Sequence, residues 1–331
     1  MHDRFGFLLG ILFLVVFPVY VVEPAAPLQK AVLVIAGFNE HRGVIFVAKD
    51  MRFFEEQGLD MQIVQVRSGQ LAVSALAANE AQFYAASATG ANIGAMAAGL
   101  DLAFIAGLVN KLDGDFVVAR NITEPRDLKH RLLGVQSIGG GVWTFTMLAL
   151  DHWGLIPDRD KIQVRIVGDQ AVLTQALISG TVDAVHLSHS FSKVAQRAGF
   201  RVLADFAKME IPYQGIGIVA RRSFLERSPE ISERTLRALA KSVRYFQDPA
   251  NRSSIANIMM KWLRLPRLED ATAGYESMKP LYSSRIAPTV EGMRNTLRIL
   301  GRVDPKFNAL KAEDLIDDRV IRKLQGEGLF K

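Results

Sequence analysis

A chain of 331 residues, of which 49% are apolar, is long enough to bury two hydrophobic cores. The absence of cysteine excludes disulfides, thiolate zinc sites and iron–sulfur clusters. The net charge is +6, and the excess of basic residues lies after residue 220, where the chain has 22 basic and 14 acidic residues. Because the sequence has neither zinc-finger spacing nor aromatic residues interleaved with basic ones, we expect no nucleic-acid partner.

The N-terminus contains an apolar run of 18 residues, Phe5 to Val22, which follows Arg4. Small residues come next at Ala25 and Ala26, and this order is typical of an export signal. We therefore expect residues 1–27 to be a signal peptide and the protein to be periplasmic or otherwise extracytoplasmic. An uncleaved membrane anchor is the alternative, because such a run rises about 27 Å as a helix, close to the thickness of a bilayer core.

Six short apolar segments are predicted strands, and a polar or glycine-containing loop follows each of them. In an open parallel sheet, ligands bind outside the carboxyl ends of the strands. We therefore expect a ligand cleft lined by the loops at 37–41, 67–69, 87–89, 137–141, 168–170 and 188–189. These loops contain many hydroxyls and glycines but few cationic side chains, which disfavours a multiply charged ligand.

The loop from Ser137 to Gly141 contains three consecutive glycines and precedes a predicted helix over Val142 to Leu150. Glycine lets the backbone approach a ligand closely, and the first N–H groups of a helix have no partner inside it. Together with the helix dipole these groups bind anions. The sequence therefore predicts an anion site here, with a tight turn that touches no ligand as the alternative.

An internal repeat links two parts of the chain. Residues 60–89 align without a gap with residues 161–190, at a constant offset of 101 residues. Each copy is predicted to form a strand, a turn, a helix, a tight turn and a second strand. Asn79 and Gly180 occupy the same position at the end of the helix, and both residue types tolerate the left-handed conformation found there. The repeat predicts two similar α/β lobes.

Four motifs in this order resemble the SsuA/TauA/NMT1-like substrate-binding proteins. They are the stretches RGVIFVAKDMRFFEEQGLDMQIV, ITEPRDLKHRLLGV, ALISGTVDAV and IGIVARRSFLERSPE, and the resemblance covers roughly residues 31–265. The sequence departs from the family pattern at His130-Arg131, where Gly-Lys is usual, and at Asn79 and Gln82, where Gly and Asp are typical.

The resemblance implies an α/β protein with the two-lobe type II periplasmic-binding-protein fold. Each lobe would be a mixed sheet flanked by helices, with the ligand cleft between the lobes. We expect residues 30–110 with 212–331 to form lobe I and residues 111–211 to form lobe II. The implied function is that of an extracytoplasmic receptor of an ABC importer, which delivers its ligand to a permease in the inner membrane. Nitrate, sulfonates, taurine and pyrimidine precursors of thiamine are the ligand classes left open.

The candidate ligand-binding residues lie in the predicted strand-end loops, in the helix that follows the glycine loop and near the second crossing between the lobes. They are Phe38, Asn39, His41, Arg67, Ser68, Ser87, Thr89, Ser137, Gly139, Gly140, Gly141, Trp143, Thr144, Ser188, His189, Tyr213 and Gln214. We expect the receptor to be a monomer that needs no cofactor and no metal.

The main alternative is an enzyme on the same fold, similar to a lyase of the menaquinone pathway or to a pyrimidine-precursor synthase. Such a lyase would need an acid or base in the cleft, for which Glu40, His41 and His189 are the candidates. The synthase depends on a cysteine cluster, which this chain lacks. A sensor or scaffold without an importer is a third possibility.

Overall fold

The computed structural model describes residues 27–36, 39–265 and 267–330, which contain two five-stranded mixed sheets. The first sheet consists of β1 (Gln29–Ala36), β2 (Leu59–Val66), β3 (Phe83–Ala86), β4 (Leu102–Gly107) and, from later in the chain, β10 (Gly217–Arg221). The second consists of β5 (Asp115–Val118), β6 (Leu132–Val135), β7 (Gln163–Ile166), β8 (Ala184–Leu187) and β9 (Arg201–Asp205).

Helices flank both sheets and extend beyond β10. They are α1 (Gly43–Asp50), α2 (Phe53–Glu56), α3 (Gly69–Ala77), α4 (Gly90–Ala97), α5 (Gly141–His152), α6 (Pro157–Asp160), α7 (Gln170–Ile178), α8 (His189–Arg197), α9 (Arg222–Arg227), α10 (Pro229–Gln247), α11 (Arg252–Leu263), α12 (Leu268–Met278), α13 (Val290–Leu300) and α14 (Arg319–Gly326). Short 3₁₀ turns lie between them at Glu40–Arg42, Pro125–Leu128, Phe206–Lys208, Pro249–Asn251, Pro305–Ala309 and Ala312–Leu315.

The two sheets have the same strand arrangement. Their orders are β2-β1-β3-β10-β4 and β7-β6-β8-β5-β9, and the fourth strand in each order is antiparallel to both of its neighbours. The remaining neighbours are parallel, so their carboxyl ends share one edge of each sheet. This arrangement confirms the predicted fold class of two mixed sheets flanked by helices.

The structure contains the internal repeat. Helix α7 begins and ends 101 residues after helix α3, and strand β8 begins and ends 101 residues after strand β3. Asn79 and Gly180 have φ of +64° and +74°, the left-handed conformation predicted for both. Each copy therefore ends its helix with the same tight turn before the second strand.

The sheets are buried on both faces, as is typical of parallel α/β sheets. Along β1, Leu33 and Ile35 contact the apolar cluster that includes Phe46 of α1, whereas Val34 contacts the opposite cluster. The cluster that Val34 contacts also contains Leu133 of β6, a strand of the other sheet. Apolar packing thus continues from one sheet to the other.

The chain passes from the first sheet to the second between Gly107 and Asp115 and returns between Asp205 and Gly217. An isolated antiparallel bridge between Lys111 and Pro212 joins the two crossing segments. The lobe boundaries expected from the sequence lie in these segments and remain a prediction.

Residues 1–26, which hold nearly all of the expected signal or anchor, lie outside the described residues, as do residues 37–38. Within the part of the chain that the structure describes, no helix is both long and apolar enough to cross a membrane.

Candidate functional site

A cavity of about 320 Å³ lies between the two sheets and is walled by residues of both. The loops after β1, β2 and β3 form one wall, and the loops after β6 and β8 form the other together with the start of α7. These are carboxyl-end loops of parallel strands, which is where the rule for open sheets predicts a ligand.

Ten of the candidate residues line this cavity. They are Asn39, His41, Arg67, Ser68, Ser87, Thr89, Ser137, Gly140, Gly141 and Ser188. Phe38 lies outside the described residues. Contact of any of these residues with a ligand remains a prediction.

The other six candidates are not part of the cavity lining: Gly139, Trp143, Thr144, His189, Tyr213 and Gln214. Trp143 packs in the apolar core. The Thr144 hydroxyl donates to the Gly140 carbonyl at 2.9 Å, as the Tyr213 hydroxyl does to the Ala88 carbonyl, also at 2.9 Å.

Gln214 and His189, which belong to these six, have polar side-chain partners. The side-chain oxygen of Gln214 accepts from the N–H of Thr289 at 2.9 Å. His189 Nδ1 lies 3.6 Å from a carboxylate oxygen of Asp115. Both side chains thus support the segments around the cavity, and a direct role in binding remains a prediction for them.

The glycine loop enters the cavity at the N-terminus of α5. Gly139 has φ of +72°, which favours glycine, and a Cβ at Gly140 would lie 2.4 Å from the Ser137 hydroxyl oxygen and displace that side chain. Gly141 and Val142 line the cavity in the first turn of α5. Their N–H groups have no acceptor within the helix, which is the arrangement that favours a bound anion.

Arg42 is a buried cation at the cavity wall that the sequence analysis did not select. It is 7% exposed, and its terminal nitrogens donate to the Ala36 carbonyl at 2.7 Å and to the Asn39 side-chain oxygen at 3.0 Å. Its Nε has no partner, and no ion pair joins it to a carboxylate of the described residues. Burial lowers the pKa of the guanidinium, but arginine stays protonated in proteins. The cavity wall therefore holds a buried cation with no directly bonded counter-ion, on which the charges of Asp113 and Glu40 act at longer range.

His41 and Asp113 form an ion pair in the same wall, with 2.6 Å between Nε2 and a carboxylate oxygen. Burial by itself would lower the pKa of His41, but the charge of Asp113 and its hydrogen bond outweigh burial and raise it. Burial likewise opposes ionisation of Asp113, yet the charge of His41 keeps the pKa of the carboxyl below its usual value. Both shifts favour the ionic form of the pair, which adds no net charge to the cavity.

His186 of β8 lines the cavity from the second sheet. Its Nε2 lies 2.8 Å from the Asp113 carbonyl oxygen, and its Nδ1 has no partner. Burial lowers the pKa of the ring to about 4, although the Asp113 carbonyl opposes this effect, so the ring is neutral near pH 7. A neutral imidazole at a cavity wall offers a hydrogen bond without a charge.

Arg42, Asp113 and His186 were missed for identifiable reasons. The predicted loop after β1 ended at His41, one residue before Arg42. Asp113 lies in a crossing segment between the sheets, which no strand-end rule covers. His186 is a polar residue in an otherwise apolar strand, and that contrast was the available signal.

Direct contacts join the two walls of the cavity. The N–H of Gly90, at the start of α4, donates to the Gly139 carbonyl at 2.7 Å. The Ser190 hydroxyl donates to a carboxylate oxygen of Glu40 at 3.2 Å. The structure therefore holds the cleft closed over the cavity.

Comparison with solved structures shows the fold. The periplasmic aliphatic sulphonate binding protein SsuA from Escherichia coli has a TM-score of 0.71 at 20% identity, over 87% of this chain and 92% of that one. The periplasmic nitrate-binding protein NrtA from Synechocystis PCC 6803 has a TM-score of 0.73 at 11% identity, over 92% of this chain and 91% of that one. At identities as low as these, the two comparisons show a shared fold only.

Comparison of sequences shows the family. YtlA of Bacillus subtilis (strain 168), which is named as a binding protein, is 25% identical over 211 residues. This alignment covers 62% of the present chain and 62% of YtlA. Residues 39–251, well over half of the chain, match the family model described as NMT1/THI5 like, so the chain belongs to the NMT1/THI5-like family.

Proposed function

We propose that this protein is the extracytoplasmic solute-binding receptor of an ABC importer. It binds a small organic anion between its two lobes and delivers the anion to a permease in the membrane. The observation that carries the anionic part of this proposal is Arg42, a buried cation at the cavity wall that has no directly bonded counter-ion.

The electrostatic argument rests on the cost of a buried charge. A cation removed from water without a counter-ion is unfavourable by several kcal/mol, so such groups are normally paired. The nearby carboxylate of Asp113 is already paired with His41. An anion in the cavity would supply the missing partner of Arg42, and the free N–H groups of the first turn of α5 would add hydrogen bonds.

The cavity size favours an organic anion over a bare inorganic ion. A volume of about 320 Å³ is at the lower end of the range for small-molecule sites and far exceeds the needs of nitrate. The names of SsuA and NrtA, sulphonate-binding and nitrate-binding, support an anion in general. Phe145 and Tyr84 in the lining suit the apolar or aromatic body of such a ligand.

Closure of the cleft would couple binding to delivery. A ligand that contacts both lobes binds the closed form more tightly than the open one, which shifts the population toward closure. The contact between Gly90 and Gly139 belongs to the closed form. A permease can distinguish loaded from empty receptor by this change of shape.

The enzyme alternative is less well supported. Its candidate acids and bases already have partners: His41 pairs with Asp113, His189 with Asp115, and Glu40 accepts from Ser190. These contacts link the loop after β1 with the segment after β4, and the start of α8 with β5 and with the loop after β1. We therefore propose that the protein binds its ligand without chemical change.

The test is a calorimetric titration with matched anions and neutral analogues. The pairs are benzoate and benzamide, benzenesulfonate and benzenesulfonamide, and ethanesulfonate and ethanesulfonamide, with nitrate and a hydroxymethyl aminopyrimidine as further probes. We expect at least one organic anion to bind at micromolar concentration and its neutral analogue to bind at least tenfold more weakly. Equal binding of anion and amide, or binding of the pyrimidine alone, would contradict the proposal.

A further inference from the structure

The ring of His186 is held in position by two aromatic rings and one hydrogen bond. It packs edge-on against Phe145, with 4.8 Å between ring centroids, and stacks on Phe206 at 5.3 Å. The residue is 4% exposed, and Nε2 is hydrogen-bonded to the Asp113 carbonyl. The orientation of the ring, and with it the direction of Nδ1, is thus set by packing.

The hydrogen bond to Asp113 also fixes the tautomer. A backbone carbonyl only accepts hydrogen bonds, so the proton of the neutral ring is on Nε2. Nδ1 is then a bare lone pair, an acceptor with no partner among the described residues. Buried acceptors in folded proteins nearly always have a donor, so this one requires an explanation.

The backbone beside the ring is built to permit this contact. Gly114 has φ of +80°, and a Cβ there would lie 2.6 Å from His186 Nε2 and 2.6 Å from the Leu187 carbonyl oxygen. A larger residue at position 114 would therefore displace the ring from the Asp113 carbonyl.

We propose that the bound anion carries a hydrogen-bond donor, a hydroxyl or N–H group, which donates to Nδ1 of His186 while Arg42 holds the anionic group. This inference rests on the proposed function and specifies its ligand further. Arg42 follows β1 of the first sheet and His186 is in β8 of the second, so the two ends of one ligand bind to opposite walls. Such a ligand is recognised by two contacts, one with Arg42 and one with His186. An anion without the donor group would form only the contact with Arg42.

The test compares anions that differ only in a hydroxyl group. The pairs are benzoate with meta- or para-hydroxybenzoate, and ethanesulfonate with isethionate, its hydroxyl derivative. In the wild-type protein we expect the better hydroxylated anion to bind about 10- to 100-fold more tightly than its parent, because the parent leaves a buried acceptor unpaired.

Two isosteric variants separate the acceptor from the rest of the ring. In His186→Asn the amide oxygen takes the place of Nδ1, and we expect the preference for the hydroxyl to remain. In His186→Gln the amide reaches the Asp113 carbonyl but leaves no acceptor at Nδ1, and we expect the ratio of the two affinities to fall to about one. His152→Gln, at an exposed histidine at the end of α5 and outside the cavity lining, is the matched control and should keep the wild-type ratio.

The outcomes distinguish this inference from the proposed function. Equal affinity of the wild type for the hydroxylated and parent anions overturns the role of His186 and leaves the anion receptor standing. A preference that survives in His186→Gln places the acceptor elsewhere and also overturns it. Failure of every anion to bind overturns both.

Discussion

Substitution of Gly90 by alanine should open the cleft without destabilising the fold. A Cβ at this position would lie 2.9 Å from the Gly139 carbonyl oxygen, 3.2 Å from the Gly139 Cα and 3.2 Å from a methyl carbon of Leu300. The first contact is with backbone of the opposite wall, which cannot rotate away. The clash would also remove the hydrogen bond from the Gly90 N–H to Gly139.

The expected loss of affinity follows from these contacts. One backbone hydrogen bond contributes about 0.5–1.5 kcal/mol, and overpacking costs about 1–3 kcal/mol. Together they disfavour the closed form by about 1.5–4.5 kcal/mol, which corresponds to roughly 10- to 2,000-fold weaker ligand binding. In the open form Gly139 is distant, and alanine at the start of α4 should leave the free energy of unfolding equal or raise it slightly.

The assay is calorimetric titration with the tightest anion of the panel, together with urea unfolding of the unliganded protein. Gly94→Ala, in the same helix, is the matched control because its Cβ would meet its nearest neighbour, Phe307, at an ordinary 3.8 Å. Wild-type affinity in Gly90→Ala would refute the account of closure. An equal loss of affinity in Gly94→Ala would show that the effect belongs to the helix and not to the contact.

Two further predictions concern stability. The difference in free energy of unfolding between wild type and Asp113→Asn should be largest between about pH 4 and pH 6.5. The difference becomes smaller at lower pH because the carboxyl protonates, and at higher pH because His41 loses its proton above its raised pKa. A difference that does not change from pH 5 to pH 9 in urea unfolding would contradict the ion pair. Gly180→Ala should lower the free energy of unfolding by about 1–2 kcal/mol, because the φ of Gly180 is +74° and no atom within 4 Å would offset the strain by contact with the new Cβ. Gly326 also has no atom within 4 Å of its Cβ position but is not left-handed, so Gly326→Ala should not lower the free energy of unfolding.

The internal repeat was predictable because it depends on local backbone preferences. The family pattern has Gly and Asp where this chain has Asn79 and Gln82, yet both residues perform the same tasks here. Asn79 adopts the left-handed conformation, and the Gln82 side chain accepts from the Val32 N–H at 2.8 Å. Asp183, at the equivalent position, accepts from the Leu132 N–H, also at 2.8 Å.

The strand-end loops were predictable as well, because a parallel sheet brings its carboxyl ends to one edge whatever the side chains are. Periodicity also predicted α5 but could not tell which of its residues enter the cavity. Trp143 turned toward the core, whereas Val142, its neighbour, lines the cavity. The rotation of a helix about its axis depends on its packing partners, which are distant in sequence.

The charged part of the site was not predictable from local sequence. The Arg42 side chain turns back to the Ala36 carbonyl, and groups remote in sequence, Tyr84, Asp113 and Tyr282, lie close enough to act on its charge. Strands β2, β3 and β4 lie between His41 and Asp113 in the sequence, so their pairing follows from the topology. Long-range contacts of this kind decide the electrostatics of the cavity.

The affinity of Arg42→Met for the tightest anion of the panel tests the central claim most directly. Charge-assisted hydrogen bonds contribute about 1.5–3 kcal/mol, so we expect binding to weaken by about 10- to 150-fold. Arg67→Met, at the exposed rim of the same cavity, should weaken it by less than about fivefold because solvent screens its charge. Wild-type affinity in Arg42→Met, or an equal loss in Arg67→Met, would contradict an anion held by the buried cation between the lobes.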